Sequence, residues 1–226
     1  MIGRFALVCL DIAGTTVHDD GAVDAAFTQA LAGVGITPGQ QRFAQARAFV
    51  HETMGWSKAD VFAALLPAHD AARATAAFGT AYEAIVAGGD VQPVPGADDL
   101  LRTLRRRDVR ICLTTGFAPS TRDALLTELG WAGGLVDLAL SPADVGRGRP
   151  APDMILAAME RFAIADPATV AVVGDTVSDL EAGTAAHAGA VIGVLSGAHD
   201  EATLAGAAHT AILVDVTQLV AELERA

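Results

Sequence analysis

Polar side chains follow three apolar, strand-like segments of the sequence. Asp11 ends the first segment, just before the small-residue loop 12–16, and Thr114 follows the second segment. Asp175 and Asp179 come after a later segment and are four residues apart. The carboxyl ends of parallel strands share one edge of a sheet, which is where α/β proteins bind ligands. We therefore expect a candidate nucleophile, a hydroxyl and an acidic pair to meet at one site.

A cation lies between the second and third of these positions in the chain. Arg149 belongs to the Gly- and Pro-rich loop 146–152, which its prolines stiffen. Taken alone, a carboxylate after a strand is more typical of a helix N-cap or a loop than of a catalytic group. The order carboxylate, hydroxyl, cation, acidic pair is much more specific, and it favours a catalytic site over unrelated polar residues.

Short apolar segments rich in β-branched residues alternate with helical patterns along most of the chain. The predicted strands are residues 5–10, 109–113, 135–140, 170–173, 190–195 and 211–214. The predicted helices between them are residues 96–107, 120–129, 153–162, 178–186 and 216–225. This alternation predicts an α/β fold built on a doubly wound parallel sheet.

One stretch, from about residue 20 to residue 90, breaks the alternation. It contains four helical patterns and no convincing strand; the patterns are residues 23–32, 39–52, 57–66 and 71–87. The stretch follows the first strand directly, so it could cover the carboxyl ends of the sheet. We predict an α/β core domain of residues 1–19 and 92–226, and an inserted all-helical cap domain of residues 20–91.

The composition of the chain argues against a membrane-spanning or nucleic-acid-binding protein. The 226 residues are 52% hydrophobic, and no stretch approaches the roughly 20 apolar residues that span a bilayer. The beginning of the chain has no signal-peptide pattern, so we expect a cytoplasmic protein without a membrane partner. The net charge of −12 argues against nucleic acid as a partner. Cys9 and Cys112 lie inside apolar runs and are expected to be inert core residues.

The order and spacing of the polar positions resemble the four motifs of the haloacid dehalogenase superfamily over the whole chain. The resemblance implies a Mg²⁺-dependent hydrolase in which Asp11 attacks phosphorus and forms an aspartyl-phosphoryl intermediate. It gives catalytic roles to Thr114, which would bind phosphoryl oxygens, and to Arg149, which would balance negative charge. The implied magnesium ligands are the carboxylates of Asp11 and Asp175, the carbonyl of Ala13 and, through a water molecule, Asp179.

Ala13 departs from the usual superfamily motif, which has a second aspartate two residues after the nucleophile. That aspartate protonates the departing alkoxide, and a phosphate-ester hydrolase without it should lose roughly 10²–10⁴-fold in rate. The chain is similar at this position to the phosphonoacetaldehyde hydrolases, whose nucleophile loop reads Asp-x-Ala-Gly-Thr-Thr, as residues 11–16 do. Their other motifs match Arg149, residues 114–116 and residues 174–179.

In that family a lysine of the cap forms a Schiff base with the substrate aldehyde, and the iminium accepts the electrons of the breaking carbon–phosphorus bond. Residues 54–58 match the family's Met-Gly-x-x-Lys, which makes Lys58 the candidate Schiff-base lysine. A lysine at a helix start is usually a solvated cation. However, Lys58 is the only lysine in the chain, and only a deprotonatable amine can form an imine. The implied substrate-binding residues are Thr15, Met54, Gly55, Thr115 and Gly116.

Three positions differ from the phosphonoacetaldehyde hydrolases. Val61 stands where that family has histidine, Phe117 where it has tyrosine, and Ala22 where it has cysteine. Those groups assist proton transfer around the imine in that family. Without them, the sequence alone decides neither whether Lys58 forms an imine nor which substrate is used. Of the six histidines, none of which has metal-ligand spacing, His18 is the best candidate for the site because it follows the nucleophile loop.

Two enzymatic hypotheses remain. The first is hydrolysis of the carbon–phosphorus bond of phosphonoacetaldehyde or a related small phosphonate, and the second is a phosphatase for a small phosphate metabolite. A non-catalytic phosphate sensor would not need Asp11, a dehalogenase would need no metal, and a phosphomutase would need the acid that Ala13 lacks. The resemblance also implies a homodimer formed through the cap.

Overall fold

Six parallel strands form one sheet at the centre of the computed structural model, which describes residues 4–225. The order of the strands across the sheet is β3-β2-β1-β4-β5-β6. The strands are β1 (Leu7–Asp11), β2 (Arg110–Thr114), β3 (Leu138–Leu140), β4 (Val170–Gly174), β5 (Ala190–Val194) and β6 (Ala211–Leu213). The chain moves outward on one side of β1 and then returns to β4 on the other side. The sheet is therefore doubly wound, as the sequence predicts, and its order reverses between β1 and β4.

Helices account for most of the remaining chain. They are α1 (Ala22–Gly33), α2 (Gln41–Glu52), α3 (Lys58–Leu65), α4 (Ala68–Ala87), α5 (Ala97–Arg106), α6 (Pro119–Glu128), α7 (Pro142–Val145), α8 (Asp153–Arg161), α9 (Val177–Ala185), α10 (Glu201–Ala205) and α11 (Leu219–Arg225). Two 3₁₀ turns cover Pro167–Thr169 and Val216–Gln218. Within residues 4–225, no helix combines the length and apolar character needed to cross a membrane.

Both faces of the sheet are buried, because successive side chains of a strand point to opposite faces. Val8 and Leu10 of β1 belong to a large apolar core, while Leu7 and Cys9 pack in a second core on the opposite face with side chains of α8. Cys9 and Cys112 are register partners on β1 and β2, and both thiols are buried and free. This placement agrees with the expected role of the cysteines as core residues.

Aromatic rings join three of the helices between β1 and α5. The rings of Phe27 on α1, Phe62 on α3 and Phe78 on α4 have centroids 4.8–6.4 Å apart, and Tyr82 stacks on Phe78 at 6.0 Å. All four side chains are buried. Rings at these separations contribute more than their apolar area alone, so this cluster holds the helices together.

The two segments that connect these helices to the sheet run side by side. The N–H of His18 donates to the carbonyl of Gln92 at 2.9 Å, and the N–H of Val94 donates to the carbonyl of Thr16 at 2.9 Å. Val17 also forms an antiparallel bridge with Pro93. Because the outgoing and returning segments bond to each other, α1–α4 are attached to the sheet at a paired connection.

The element boundaries differ from the sequence-based expectations in specific ways. Strand β3 is shorter than the expected 135–140, and α4 begins at Ala68, three residues before the expected start. The expected helix 216–225 divides into a 3₁₀ turn and α11, because the Asp215 side chain accepts from the Thr217 N–H and tightens the first turn. Helices α7 and α10 are too short for their periodicity to be recognised in the sequence.

Phe62→Ala should lower the free energy of unfolding by about 3–5 kcal/mol, because it leaves a cavity inside the aromatic cluster. Phe62 is 0% exposed. Leu156→Ala provides a control with the same kind of truncation at a side chain that is 46% exposed, and it should cost well under half as much. Urea denaturation of the three proteins measures both values. Equal losses for the two variants would contradict the assignment of Phe62 to the core.

Candidate active site

The carboxyl ends of β1, β2 and β4 bring the sequence-predicted residues together. Asp11 and Thr114 are register partners at the ends of β1 and β2, and Asp175 follows β4 directly. The loop after β1 is fixed from inside, since the Thr15 hydroxyl donates to Asp175 Oδ1 at 3.1 Å. Gly14 has φ +86°, and a Cβ there would lie 2.4 Å from Asp175 Oδ2. Only glycine therefore allows this loop to approach Asp175.

A buried guanidinium links the carboxylates. Arg149 Nη1 donates to Asp11 Oδ1 at 2.5 Å and also to Asp179 Oδ1. Asp11 is 5% exposed, Asp179 2% and Arg149 7%. The Thr176 side chain caps α9 by accepting from the Asp179 N–H, while Asp179 accepts from the Thr176 N–H, so the acidic pair starts a helix with a capping box. The predicted cation and acidic pair thus meet Asp11.

The negative charge of the carboxylate cluster exceeds the positive charge beside it. Asp11, Asp175 and Asp179 each place an oxygen within 4.8 Å of the others, against one guanidinium. Burial raises the pKa of Asp11 well above its ordinary value, although Arg149 opposes the shift. Burial and the nearby charge of Asp179 raise the pKa of Asp175 to about 6. Closely spaced carboxylate oxygens that resist ionisation are suited to a divalent cation, so these residues fit a metal ion such as Mg²⁺.

The two threonines after β2 have different surroundings. Thr115 and Gly116 line a cavity of about 400 Å³ together with Asp11, Ala13 and Arg149. The Thr115 hydroxyl accepts from the Phe117 N–H at 3.2 Å, which orients it at the start of the loop. Thr114 instead faces a small neighbouring space. Of the two threonines, Thr115 is therefore the one that lines the cavity.

Lys58 reaches this cavity from the start of α3. Ser57 caps the helix by accepting from the Asp60 N–H at 3.2 Å, and the Lys58 N–H donates to the carbonyl of Gly116 at 3.1 Å. Its Nζ lies 5.5 Å from the ring centroids of Phe27 and Phe117 and 5.9 Å from that of Phe78, three faces that attract a cation. Burial, with help from the charge of Arg149, lowers the pKa of Lys58 to about 8.

The segment that precedes Lys58 lies against the loops of the sheet. The Ser178 hydroxyl donates to the carbonyl of Met54 at 3.0 Å. Gly55 has φ +87°, and a Cβ there would lie 2.5 Å from Thr176 Oγ1. A Cβ at Gly116 would lie 2.4 Å from the carbonyl oxygen of Trp56. These close backbone approaches hold the start of α3 beside the carboxylate cluster, and Met54 and Gly55 line the cavity as expected.

Several cavity residues were not expected from the sequence. They are Asp19, Asp20, Asp24, Arg47, His51 and the loop 196–198. In that loop the Ala198 N–H donates to Asp175 Oδ2 at 2.7 Å, and the Ser196 hydroxyl donates to the carbonyl of Gly14 at 2.7 Å. The sequence could have indicated this loop, because it follows β5 and the carboxyl ends of parallel strands share one edge of the sheet. His18, which the sequence favoured among the histidines, also lines the cavity.

The three positions that differ from the phosphonoacetaldehyde hydrolases are buried and apolar. Val61 and Ala22 lie in the large core, and Phe117 packs against Tyr82 with ring centroids 4.5 Å apart. None of these side chains can exchange a proton.

Comparison with known proteins identifies the family. A family model described as haloacid dehalogenase-like hydrolase matches residues 5–187, so the chain belongs to this family of hydrolases. Hydrolases of this family generally use Mg²⁺, which agrees with the fit of the three buried aspartates to a metal ion.

Part of the chain is similar to a curated protein. This protein is a phosphonoacetaldehyde hydrolase from Bacteroides fragilis, with 33% identity over 133 residues. The matched part is 59% of this chain and 50% of that protein, so the chain spans about half the length of the curated relative.

Solved structures share the fold over nearly the whole chain. A hydrolase from Pseudomonas syringae has a TM-score of 0.84 at 24% identity, with 98% of each chain covered. A phosphonoacetaldehyde hydrolase-like protein from Oleispira antarctica has a TM-score of 0.83 at 20% identity, with 99% of this chain and 94% of that chain covered. A predicted phosphoglycolate phosphatase from Haemophilus somnus has a TM-score of 0.82 at 18% identity, with 98% and 99% covered. At these identities the likeness is one of fold.

Magnesium binding should depend on Asp175. We expect MgCl₂ to raise the thermal unfolding midpoint of the native chain, because an ion that binds only the folded state stabilises it. Asp175→Asn should lose most of this shift, since an amide is a much poorer ligand for Mg²⁺ than a carboxylate. The measurement is a thermal melt in EDTA and in excess MgCl₂. The exposed carboxylate of Asp99 on α5 offers the control Asp99→Asn, which should keep the full shift. An equal shift in Asp175→Asn would place the metal elsewhere.

Proposed function

We propose that this hydrolase cleaves the carbon–phosphorus bond of phosphonoacetaldehyde or a closely related small aldehyde phosphonate. The observation that carries the proposal is Lys58. Its amine is enclosed by three aromatic rings, its pKa is lowered to about 8, and it shares a cavity with Asp11. A lysine that exists partly as the free amine near neutral pH is suited to attack an aldehyde.

Two domains would each contribute one of the reacting side chains. Residues 1–19 and 92–226 form the core domain, which presents Asp11, and residues 20–91 form the cap, which presents Lys58. The paired connection near Val17 and Pro93 supports this division. The contacts of residues 54–56 with the loops of the sheet close the cap over the cavity. Substrate would then be held between an amine on one side and a carboxylate on the other.

The reaction begins with Lys58, whose amine condenses with the aldehyde and releases water. Asp11 then attacks phosphorus. The electrons of the breaking carbon–phosphorus bond move into the iminium, which becomes an enamine, and the phosphoryl group is transferred to Asp11. Water hydrolyses the aspartyl phosphate, and hydrolysis of the enamine frees Lys58. Because the leaving electron pair is accepted by nitrogen, no acid is needed at residue 13, and Ala13 lines the cavity beside the nucleophile.

Charge is balanced by the residues around Asp11. Arg149 stabilises the carboxylate and the phosphoryl oxygens, while Thr115 and the N–H of Gly116 bind the phosphoryl group. Thr15, which the sequence placed among the substrate-binding residues, would instead hold the nucleophile loop, because its hydroxyl donates to Asp175. Mg²⁺ bound by Asp11, Asp175, Asp179 and the carbonyl of Ala13 would offset the charge that accumulates as phosphorus is attacked. Thr114, the hydroxyl favoured by the sequence, would support this group from the end of β2.

A phosphatase acting on a small phosphate ester is the second candidate. Two observations favour it: the side chains at Val61 and Phe117 cannot assist proton transfer, and a structural neighbour is named as a predicted phosphoglycolate phosphatase. In that reaction Lys58 would serve as a cation for the substrate. The nucleophile and the metal site would be unchanged.

Trapping tests the imine. Incubation with acetaldehyde and borohydride should place an ethyl group on Lys58, and the rate should rise with pH through about 8, because only the deprotonated amine reacts. Lys58→Arg should lose both the adduct and carbon–phosphorus cleavage. Asp11→Asn is the matched control, since it should keep the adduct and lose turnover by more than roughly 10³-fold. Peptide mass and phosphate release are the readouts. Native turnover in Lys58→Arg would favour the phosphatase.

Ala13→Asp separates the two candidate reactions. If the leaving group is an alkoxide, the added acid should raise hydrolysis of phosphate monoesters by roughly 10-fold or more. If the leaving group is an enamine, the extra negative charge beside Asp11 should only slow cleavage of phosphonoacetaldehyde. Steady-state rates on both substrate classes decide the question, with Ala13→Asn as the uncharged control. Faster cleavage of phosphonoacetaldehyde in Ala13→Asp would contradict the proposed enamine leaving group, which needs no acid at residue 13.

A further inference from the structure

The cavity contains a carboxylate that the proposed reaction does not yet use. Asp19 lies just before α1, where its Oδ1 accepts from the Val23 N–H at 2.9 Å. A second backbone bond, from Gly21, also holds the carboxylate. Val23 and Phe27 follow on one face of α1, four residues apart, and the ring of Phe27 is one of the three that face Lys58 Nζ. Asp19 is therefore fixed above the face of α1 that carries this ring.

Imine formation at Lys58 requires protons to move. The ammonium group starts with three protons and the iminium keeps one, so two protons leave with the oxygen of the aldehyde as water. The faces of Phe27, Phe78 and Phe117 can neither accept nor return a proton. An acid–base group within reach of the amine is therefore needed in the cavity.

Most other ionisable groups around Lys58 are committed elsewhere. Asp11 is paired with Arg149, and Asp175 accepts from Thr15 and the Ala198 N–H. Arg149 cannot be deprotonated at neutral pH. The Tyr82 hydroxyl is held protonated, because burial and the charge of Asp19 raise its pKa. The remaining ionisable groups that line the cavity are His18, Asp20, Asp24, Arg47 and His51, of which Asp24 is paired with Arg47 at 2.9 Å.

Asp19 differs from these cavity groups in its influence on the amine. The carboxylates whose charge raises the pKa of Lys58 are Asp11, Asp19 and Asp175. Two of them belong to the phosphoryl site, which leaves Asp19. Burial also raises the pKa of Asp19 above its ordinary value, so the group can hold a proton closer to neutrality than an exposed aspartate can.

We propose that Asp19 is the acid–base residue for imine formation at Lys58. In the first step the Asp19 carboxylate accepts one proton from the ammonium group. As the free amine then attacks the aldehyde, a second proton of the nitrogen passes to the aldehyde oxygen and gives the hydroxyl of the carbinolamine. In the second step the Asp19 carboxylic acid returns that proton to the hydroxyl of the carbinolamine, the carbon–oxygen bond breaks, and water leaves as the nitrogen lone pair forms the iminium. Asp19 ends in its starting state. This inference rests on the proposed imine chemistry, and it names the residue that replaces proton-transfer groups absent at positions 61 and 117.

Asp19→Asn gives a distinctive pair of effects. Removal of a negative charge lowers the pKa of Lys58, so simple reactions of the free amine should become faster. Carbamoylation of Lys58 by cyanate at pH 7 should rise by up to about five-fold, since a pKa near 8 leaves only a minor fraction deprotonated. Imine formation with acetaldehyde, trapped by borohydride, should instead fall by roughly 10²-fold, because the proton relay is lost. Both rates are read from the mass of the single lysine peptide.

Two control variants separate the loss of charge from the loss of the acid. One removes a carboxylate elsewhere, and the other keeps a carboxylate at residue 19. Asp60→Asn removes an exposed carboxylate two residues from Lys58, and both rates should stay at the native level. Asp19→Glu keeps the acid and should recover part of the trapping rate. Opposite changes of the two rates in Asp19→Asn support the proposal. An unchanged trapping rate in Asp19→Asn overturns the proposed role of Asp19 but leaves the imine chemistry standing. A fall in both rates also overturns the role, because it would mean that Asp19 only holds the start of α1 in place. A native chain that forms no adduct overturns both this inference and the carbon–phosphorus reaction.

Discussion

The bonds from one buried guanidinium to two carboxylates set the geometry of this site. Arg149 donates to Asp11, at the end of β1, and to Asp179, in the helix after β4, and all three side chains are withdrawn from water. Burial of such charges costs several kcal/mol for each ion, and the cost is offset only when pairing and hydrogen bonds are nearly complete. The ends of β1 and β4 and the loop that carries Arg149 must therefore keep their relative positions within narrow limits. The central place of β1 and β4 in the sheet provides that rigidity.

The same cluster explains why a metal ion and an anionic substrate suit the site. One guanidinium does not balance three carboxylates, and burial together with the charges of the neighbouring carboxylates raises the pKa values of Asp11 and Asp175. A divalent cation would restore the balance, and it would also attract a phosphoryl group into a protein whose net charge is −12. Such local positive charge would offset the negative charge of the whole chain.

The position and the pKa of Lys58 depend on backbone contacts and burial, in contrast to the ion pairs that hold the carboxylates. Its position follows from backbone contacts at Gly55 and Gly116, and its pKa is lowered by burial and by the charge of Arg149. Two rings of the aromatic cluster that stabilises the helices, Phe27 and Phe78, also face the amine. Because Phe27 lies on the same face of α1 as the contact made by Asp19, this one helix carries both the proposed proton partner and a ring that faces the amine.

The order of the strands and of the longer helices, the positions of Asp11, Asp175, Asp179 and Arg149 after the strands, and the hydrolase family were predictable from the sequence. Local patterns determine these features, since strand periodicity and motif spacing are short-range properties. Tertiary structure decided that Thr115 rather than Thr114 lines the cavity, and that Asp19 and the loop 196–198 join the site. No spacing rule relates Asp19 to Lys58, because their proximity arises from the packing of α1 against α3 and α4. A shift in pKa likewise depends on burial, which only the folded chain creates.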